Sequence, residues 1–387
     1  MDKIFDLIKK EEERQKTEVQ LIPSENFISE NVKKALGSCL SNKYAEGYSG
    51  KRYYQGNRVM DQIESECQKR ALEVFDLNEN IWGVNVQPHS GCEANLAVYN
   101  GLLDPGDKIM AMFLPDGGHL SHGWHTDKKV TLVSKIYKVE FYKVNPETEV
   151  FDYGQIKKQA EIFRPKLIIS GGTAYPREID YKKMGEIAEA VGAYYLADVS
   201  HEAGLIAGKV LSSPWLAADV VTMTTHKTLR GPRGAMIFAK RTLIEAINKS
   251  VFPGLQGGPH MQTIAAIAVA LAETQTEEFR KYAGQVVKNA KKLAEILTSE
   301  GLRVISGGTD KHLVLVDVGV GKGKEVAEKL EEEGIVVNAN TIPGEKGSPF
   351  KPSGIRLGSP AMTTRGWEEE EFREIGKKIA KIIRSIG

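Results

Sequence analysis

Residues 194–234, YYLADVSHEAGLIAGKVLSSPWLAADVVTMTTHKTLRGPRG, decide how this chain folds. Two apolar runs, AYYLADV and DVVTMTT, are short, rich in β-branched and aromatic residues, and bounded by glycine and turn residues. They read as two buried strands. The first ends at Asp198 and the second just before Lys227. The separation of about thirty residues matches one strand–helix–strand unit, so both side chains reach the same edge of one parallel sheet. Open sheets of this kind place ligands beyond the carboxyl ends of their strands. Desolvation there lowers the pKa of a lysine and makes it a usable Schiff-base nucleophile. Each residue also has a plain structural reading: Lys227 as a solvated loop lysine, Asp198 as a helix N-cap, His201 as a satisfied helix-turn histidine.

The same alternation extends outward. WGVNVQ (82–87) reads as a strand and CEANLAVYNGLL (92–103) as the helix after it. KLIISG (166–171), KKMGEIAEAVG (182–192) and GAMIFA (234–239) continue the pattern. Together they predict an α/β unit with a mostly parallel sheet covered by helices on both faces. Near Thr263 the character changes. A helical stretch runs on through EEFRKYAGQVVKNAKKLAEILTSEG to a glycine stop at Gly301, followed by HLVLVDV, KEVAEKLEEEG, IVVNANT and a charged helix. This predicts a smaller α+β unit. A chain of 387 residues is long for one core. The expected division is an N-terminal arm over 1–42, a large domain over 43–270 and a small domain over 271–387.

Composition narrows the function. Net charge is +1, so no basic or acidic bias points to nucleic acid or a membrane surface. The longest apolar stretch, Ile264 to Ala272, is too short to span a bilayer. The opening MDKIFDLIKKEEERQK reads as an amphipathic helix whose Ile4, Leu7 and Ile8 face packs on a partner surface, and it has no secretory pattern. Cys39, Cys67 and Cys92 are far apart, which argues against a disulfide frame or a zinc site and for a reducing cytoplasm. His119, His122 and His125 recur every three residues, but no carboxylate completes a ligand set, and no metal is expected. GVGKGKE lacks phosphate-loop spacing, and KGSPFKPSG is a turn cluster.

Two further motifs carry chemistry. In PHSGCEAN, Ser90, Gly91 and Cys92 open a helix after a strand, where backbone amides and the helix dipole suit a phosphate. In SGIRLGSP, Arg356 sits in a short apolar strand and can grip a carboxylate in a bidentate pair. Amine, acid, phosphate turn and carboxylate anchor are each weak alone. Jointly they are what an enzyme using pyridoxal phosphate on amino acids requires.

LIPSENFIS, NKYAEGYSGKRYYQG, GGHLSHG, THKTLRGPRG, FPGLQGGP and SGIRLGSPAMTTRG together resemble the serine (glycine) hydroxymethyltransferase family, from about Glu18 to Gly366. The resemblance implies an aspartate-aminotransferase-like (fold type I) large domain with a small C-terminal domain. It implies reversible transfer of the serine hydroxymethyl carbon to tetrahydrofolate, giving glycine and 5,10-methylenetetrahydrofolate. Pyridoxal 5'-phosphate would be covalent on Lys227, with Asp198 at the ring nitrogen and His119 on the ring face. Thr173 and His201 would lie by the ring hydroxyl. Ser90, Gly91, Cys92, Thr224 and His226 would complete the cofactor contacts. Lys227, Glu46, Tyr54 and His122 are the implied catalytic group. Arg356 and Ser24 would hold the serine carboxylate, and Tyr53, Leu114, Gly118, Leu120 and Asn340 match folate-contacting positions. Sites shared across a homodimer are implied, with Tyr44, Glu46, Tyr54 and the Gly257 loop coming from the partner; a tetramer is also compatible.

The sequence departs from the family pattern at several places. Cys92 and Glu93 stand where Ser and Gln are usual, and a thiol is the weaker donor. One lost hydrogen bond to a charged phosphate costs about 1.5–3 kcal/mol. Ser200 stands for alanine, Glu202 for an aliphatic residue, and Thr173 for serine. Gln262, Gln55 and Ser49 also differ. These changes imply weaker or altered cofactor binding and keep two alternatives open: a cofactor- or folate-binding homologue with little activity, and a threonine-aldolase-type lyase.

Overall fold

A computed structural model describes residues 2–346, 348 and 350–386. The chain divides into two compact units. The larger takes Phe27–Thr173 and Glu178–Gly284; the smaller takes Met1–Asn26, Ala174–Arg177 and Gln285–Gly387.

The larger unit is built on seven strands: β1 (Trp82–Asn85), β2 (Lys108–Met112), β3 (Lys138–Tyr142), β4 (Leu167–Ser170), β5 (Tyr194–Asp198), β6 (Val220–Thr224) and β7 (Ala235–Lys240). Their spatial order is β1-β7-β6-β5-β4-β2-β3. Only β7 pairs antiparallel, with both its neighbours, so the other six strands all point the same way. Helix α1 (Gly91–Leu102) follows β1. The two-residue period of the strands sorts the core. Ile109, Ala111, Leu167, Ile169, Leu196, Val220, Ala235 and Ile237 pack against Ala94, Ala97 and Val98 of α1 and against Ile244 and Ile247. On the other face Phe238 meets Phe75 and Trp215, and Trp215 meets Trp82 edge-on.

The mostly parallel sheet and every strand read from the sequence are present. Two strands of the seven-stranded sheet escaped that reading, β2 and β3. In β2 (KIMAM) unbranched methionines stand where β-branched residues usually signal a strand. In β3 (KVEFY) Lys138 and Glu140 are exposed or partly so, because β3 is an edge strand with one wet face. The helical stretch from Thr263 is two helices, Met261–Thr274 and Glu277–Ser299, parted at Gln275 and Thr276. IVVNANT is likewise two short strands, Ile335–Val336 and Asn338–Asn340. The N-terminal helix Lys3–Thr17 forms as expected, with Ile4, Phe5, Leu7 and Ile8 exposed. In the KGSPFKPSG turn, Gly347 and Pro349 lie outside the described residues.

The smaller unit carries an antiparallel sheet of β8 (Arg303–Val304), β9 (Leu313–Asp317), β10 (Asn338–Asn340) and β11 (Gly354–Gly358), in the order β8-β9-β11-β10. Val314, Val316, Ile355 and Leu357 pack under Phe372, Ile375, Ile379 and Ile383 of the helix Glu369–Ile386. Residues of the N-terminal segment join this unit: Val19–Gln20 pairs in parallel with Ile335–Val336, and Leu21 O accepts the Gly358 N–H at 2.7 Å.

One glycine fixes how close two strand ends come. Gly171, just past β4, has φ +131°, and a Cβ there would fall 2.3 Å from Asp198 O. Gly192 also has positive φ, +70°, but open space around it. Gly171→Ala is expected to destabilise by about 2 kcal/mol or more, through clash and strain together. Gly192→Ala should cost about 1 kcal/mol, from strain alone. Thermal or urea unfolding of the two variants checks the difference.

Candidate active site

Six parallel-running strands bring their carboxyl ends to one edge of the larger unit, and the chemistry collects there. Asp198 closes β5 and is buried. Its Oδ2 accepts from Asn95 Nδ2 at 2.9 Å and from His122 Nε2 at 3.0 Å. Its Oδ1 accepts from the Ser200 amide at 3.0 Å and the Ser200 hydroxyl at 2.5 Å. Burial alone would raise the carboxyl pKa. The His122 hydrogen bond, the charges of His122 and His119, and the Ser200 bond outweigh it and hold Asp198 well below the usual carboxylate range. The group is therefore an anion with fixed orientation.

Lys227 sits three residues beyond β6, buried, with Nζ donating to Thr224 Oγ1 at 3.1 Å. Thr224 in turn is tied to the turn after β5: its N–H donates to Ser200 Oγ at 3.1 Å and its hydroxyl to Ser200 O at 3.3 Å. Amine and carboxylate thus share one hydrogen-bonded link, as the two-strand reading predicts. The Thr228 hydroxyl, one residue past Lys227, donates to His201 O at 2.8 Å.

Ser90 caps α1, its Oγ accepting the Glu93 N–H at 3.4 Å. The first amides of a helix have no intrahelical acceptor and gather positive potential. Gly91 is needed here: a Cβ on it would meet Thr224 Cγ2 at 2.6 Å. Two residues past Thr224, His226 is mostly buried, and its Nδ1 has no hydrogen-bond partner among the described residues. Burial, with Lys227 and Arg233 nearby, pushes its pKa down to about 3, so its ring is neutral. An unsatisfied ring nitrogen, a helix N-terminus without a Cβ barrier, an amine and a buried carboxylate fit pyridoxal phosphate.

The two departures at the phosphate turn resolve differently. The Glu93 carboxylate lies 3.8 Å from His89 Nδ1, toward a ring stacked on His260 at 4.1 Å. At Cys92 partial desolvation and the Asp198 charge push the thiol pKa up.

Around Asp198 the HxxHxxH histidines part company. His122 is buried beneath the carboxylate. His119 is half-buried, with Nδ1 2.8 Å from Ser121 Oγ. The His125 ring contacts Val139 O and Thr126 O. The Thr173 N–H donates to Gly117 O at 2.6 Å, tying the β4 loop to the Gly117–Gly118 turn. Leu114 is half-buried and Leu120 exposed on either side of that turn.

A second group forms at residues 44–57 and 252–258. Tyr44 and Tyr54 rings meet edge-on at 5.1 Å, and Tyr53 meets Phe252 at 5.5 Å. A Cβ on Gly257 would lie 3.2 Å from Glu46 Oε1, and one on Gly258 would lie 3.3 Å from the Tyr44 ring. The Glu46 charge raises the Tyr44 pKa. Tyr44, Tyr53 and Tyr54 are 56%, 71% and 47% exposed, so this group presents its reactive side chains outward. Its backbone is held from within. Arg52 Nη1 donates to Ala45 O at 2.8 Å and Gly47 O at 2.7 Å, on either side of Glu46. Arg52 also pairs with Asp61 and buried Glu64. Gln87 Nε2 bonds Gly47 O and Glu64, while Gln87 O accepts from Gln256 Nε2, which links the group to the phosphate turn.

In the smaller unit Arg356 of β11 is buried, its Nε donating to Asn338 Oδ1 at 2.9 Å. Burial pushes its pKa down to about 10, and the guanidinium stays charged at neutral pH. Asn340 donates to Thr341 O at 2.7 Å, and Ser24 is half-buried.

Sequence reading did not single out Asn95, Ser121, Arg52 or Gln87. Asn95 could have been found as the one amide in the apolar run ANLAVY, one turn after the phosphate turn.

The profile of the family described as serine hydroxymethyltransferase matches residues 1–379. The cytosolic serine hydroxymethyltransferase of Saccharomyces cerevisiae is 50% identical over 396 residues, covering 97% of this chain and 84% of its own length. The cytosolic enzyme of Oryctolagus cuniculus is 48% identical over 400 residues, covering 98% and 82%. The serine hydroxymethyltransferase of Desulfotalea psychrophila is 49% identical over 385 residues, covering 99% and 88%.

Asp116 supplies a pH test of the loop that carries His119. Its Oδ2 accepts the Val144 N–H at 3.1 Å, and burial raises its pKa from 3.8 to about 6. A raised folded-state pKa contributes stability that is present below pH 3.8 and lost as pH rises through 6. Asp116→Asn should therefore gain on the wild type by roughly 2–3 kcal/mol between pH 3.5 and 7.5. Unfolding both proteins across that range checks the sign; a constant difference contradicts it.

Proposed function

The chain belongs to the serine hydroxymethyltransferase family, and on that premise we propose that it moves the hydroxymethyl carbon of serine reversibly to tetrahydrofolate, releasing glycine and 5,10-methylenetetrahydrofolate. The observation that carries this reading at residue level is the link Lys227–Thr224–Ser200–Asp198. It sets an amine and a fixed anion at neighbouring strand ends.

Pyridoxal phosphate, when bound, supplies a place for the electrons of the broken carbon–carbon bond. Lys227 would hold its aldehyde carbon and Asp198 its ring nitrogen. Ser90, the first amides of α1, Cys92 and His226 would hold the phosphate. His119 would cover the ring face, and Thr173 and His201 would lie by the ring hydroxyl. His122 acts on Asp198, to which it is bonded, and so keeps the acid ionised. Arg356 binds the amino-acid carboxylate; its planar fork suits a bidentate pair and its charge persists at neutral pH. Ser24 assists it. Glu46, with Tyr54 beside it, moves the proton of the serine hydroxyl. Tyr53, Leu114, Gly118, Leu120 and Asn340 contact the folate.

The outward group supports the reading of a homodimer. Tyr44, Glu46, Tyr54 and the Gly257 loop form one ordered cluster whose side chains face away from their own chain's core, as expected of a contribution to a second copy.

Serine-to-glycine conversion is expected to require tetrahydrofolate and to fall by about 10³-fold or more in Lys227→Ala. Folate-independent threonine cleavage outpacing it would favour an aldolase instead. Glu46→Gln should lower kcat by about 10²–10⁴ with little change in the serine KM. If sites are shared, mixing inactive Lys227→Ala and Glu46→Gln chains after subunit exchange should restore about a quarter of wild-type activity, because each mixed dimer holds one intact site. No recovery despite exchange would place Glu46 in its own chain's site.

A further inference from the structure

Among the groups around Asp198, Ser200 makes contacts that no other described residue combines. Its hydroxyl donates to Asp198 Oδ1 at 2.5 Å, and its amide donates to the same oxygen at 3.0 Å. The same hydroxyl oxygen accepts the buried Thr224 N–H at 3.1 Å, and Thr224 Oγ1 accepts from Lys227 Nζ at 3.1 Å. Ser200 is itself buried, and a Cβ on Gly91 would lie 3.8 Å from its Oγ. One hydroxyl therefore stands against the acid, against the strand that leads to the amine, and beside the phosphate turn.

We propose that Ser200 is a positioning residue. Its hydroxyl locks the Asp198 carboxylate to the end of β6 and thereby sets where the proton lies between Asp198 and the ring nitrogen of the cofactor.

The physical reason is the division of labour on the carboxylate. Asn95 and His122 serve Oδ2, while among the described residues Oδ1 accepts from Ser200 alone. A donor to an ionised carboxylate stabilises the charged form and makes it a poorer base. A poorer base leaves the shared proton on the ring nitrogen, where it serves electron withdrawal. Alanine at this position keeps the amide but loses the hydroxyl. The carboxylate becomes more basic, and the Thr224 N–H loses its acceptor in a buried site. The inference rests on the reading that Asp198 faces the ring nitrogen.

The test uses protein loaded with ¹⁵N-ring-labelled pyridoxal phosphate, in wild type and in Ser200→Ala, Ser200→Thr and Asp198→Asn. Three quantities are read: the ring ¹⁵N shift, the cofactor dissociation constant and the melting temperature of the cofactor-free protein. Ser200→Ala should move the ¹⁵N signal from the protonated toward the neutral-ring position and weaken the cofactor by about tenfold, the size of one charge-assisted hydrogen bond. Ser200→Thr, which keeps the hydroxyl, should restore the ¹⁵N position even where its extra methyl group weakens binding. Asp198→Asn should shift the signal further than Ser200→Ala. A Ser200→Ala protein with an unmoved ¹⁵N signal and affinity within about twofold of wild type overturns the inference, provided Asp198→Asn does move the signal. An unmoved signal in Asp198→Asn overturns the Asp198 reading itself, and the inference with it. A fall in melting temperature alone, without the ¹⁵N displacement, assigns Ser200 a purely structural role and also overturns it.

Discussion

A carboxylate buried at a strand end is costly unless donors satisfy it, and the architecture of the larger unit follows from how Asp198 is satisfied. Its donors come from different parts of the chain: Asn95 from α1, His122 from the turn after β2, Ser200 from the turn after β5. Holding all of them within hydrogen-bond reach fixes the ends of β1, β2 and β5 against one another. Gly171 lets the end of β4 approach the Asp198 backbone, and the Ser200–Thr224 bonds draw in β6. Once these ends are fixed, the lysine three residues past β6 and the helix N-terminus past β1 have little freedom left. The seven-stranded sheet supplies rigidity, and one anion organises its edge.

The outward group around Glu46 obeys the same rule with opposite sign. Arg52 is a buried cation satisfied by Asp61, Glu64 and two backbone carbonyls. Those carbonyls belong to Ala45 and Gly47, so the cation grips the backbone on both sides of Glu46 and leaves the Glu46 side chain free of the core. Gln87 carries this order to the phosphate turn, and Gln256 carries it to the Gly257 loop. Exposed tyrosines and an acid on so rigid a base suit a surface prepared for a second chain, whose approach needs little further ordering.

Much of this was legible in the residues. AYYLADV and DVVTMTT read as strands because buried parallel strands are nearly uniform in apolar content, and they became β5 and β6 with Asp198 and Lys227 at one edge. The N-cap Ser90 and the strand bearing Arg356 were equally plain. The missing parts were those whose local pattern is ambiguous. In β2 methionines replace β-branched residues, and in β3 a wet face breaks the apolar run. The partners of Asp198 were hidden for a different reason. Asn95 lies 103 residues from Asp198 in sequence, and Ser121, which accepts from Asn95, lies 26 residues beyond Asn95; hydrogen bonds between distant small polar side chains leave no periodic trace. The Arg52 clamp was hidden within a motif whose tyrosines and acid drew the reading first.

The central claim is that one amine, held on the far side of the Ser200–Thr224 link from Asp198, is the attachment point of the cofactor. Borohydride reduction of the pyridoxal-phosphate-loaded protein, followed by peptide mass spectrometry, tests it most directly. The account predicts a single reduced pyridoxyl adduct on the peptide containing Lys227. An adduct concentrated on any other lysine, such as buried Lys311, with Lys227 unmodified, would contradict it.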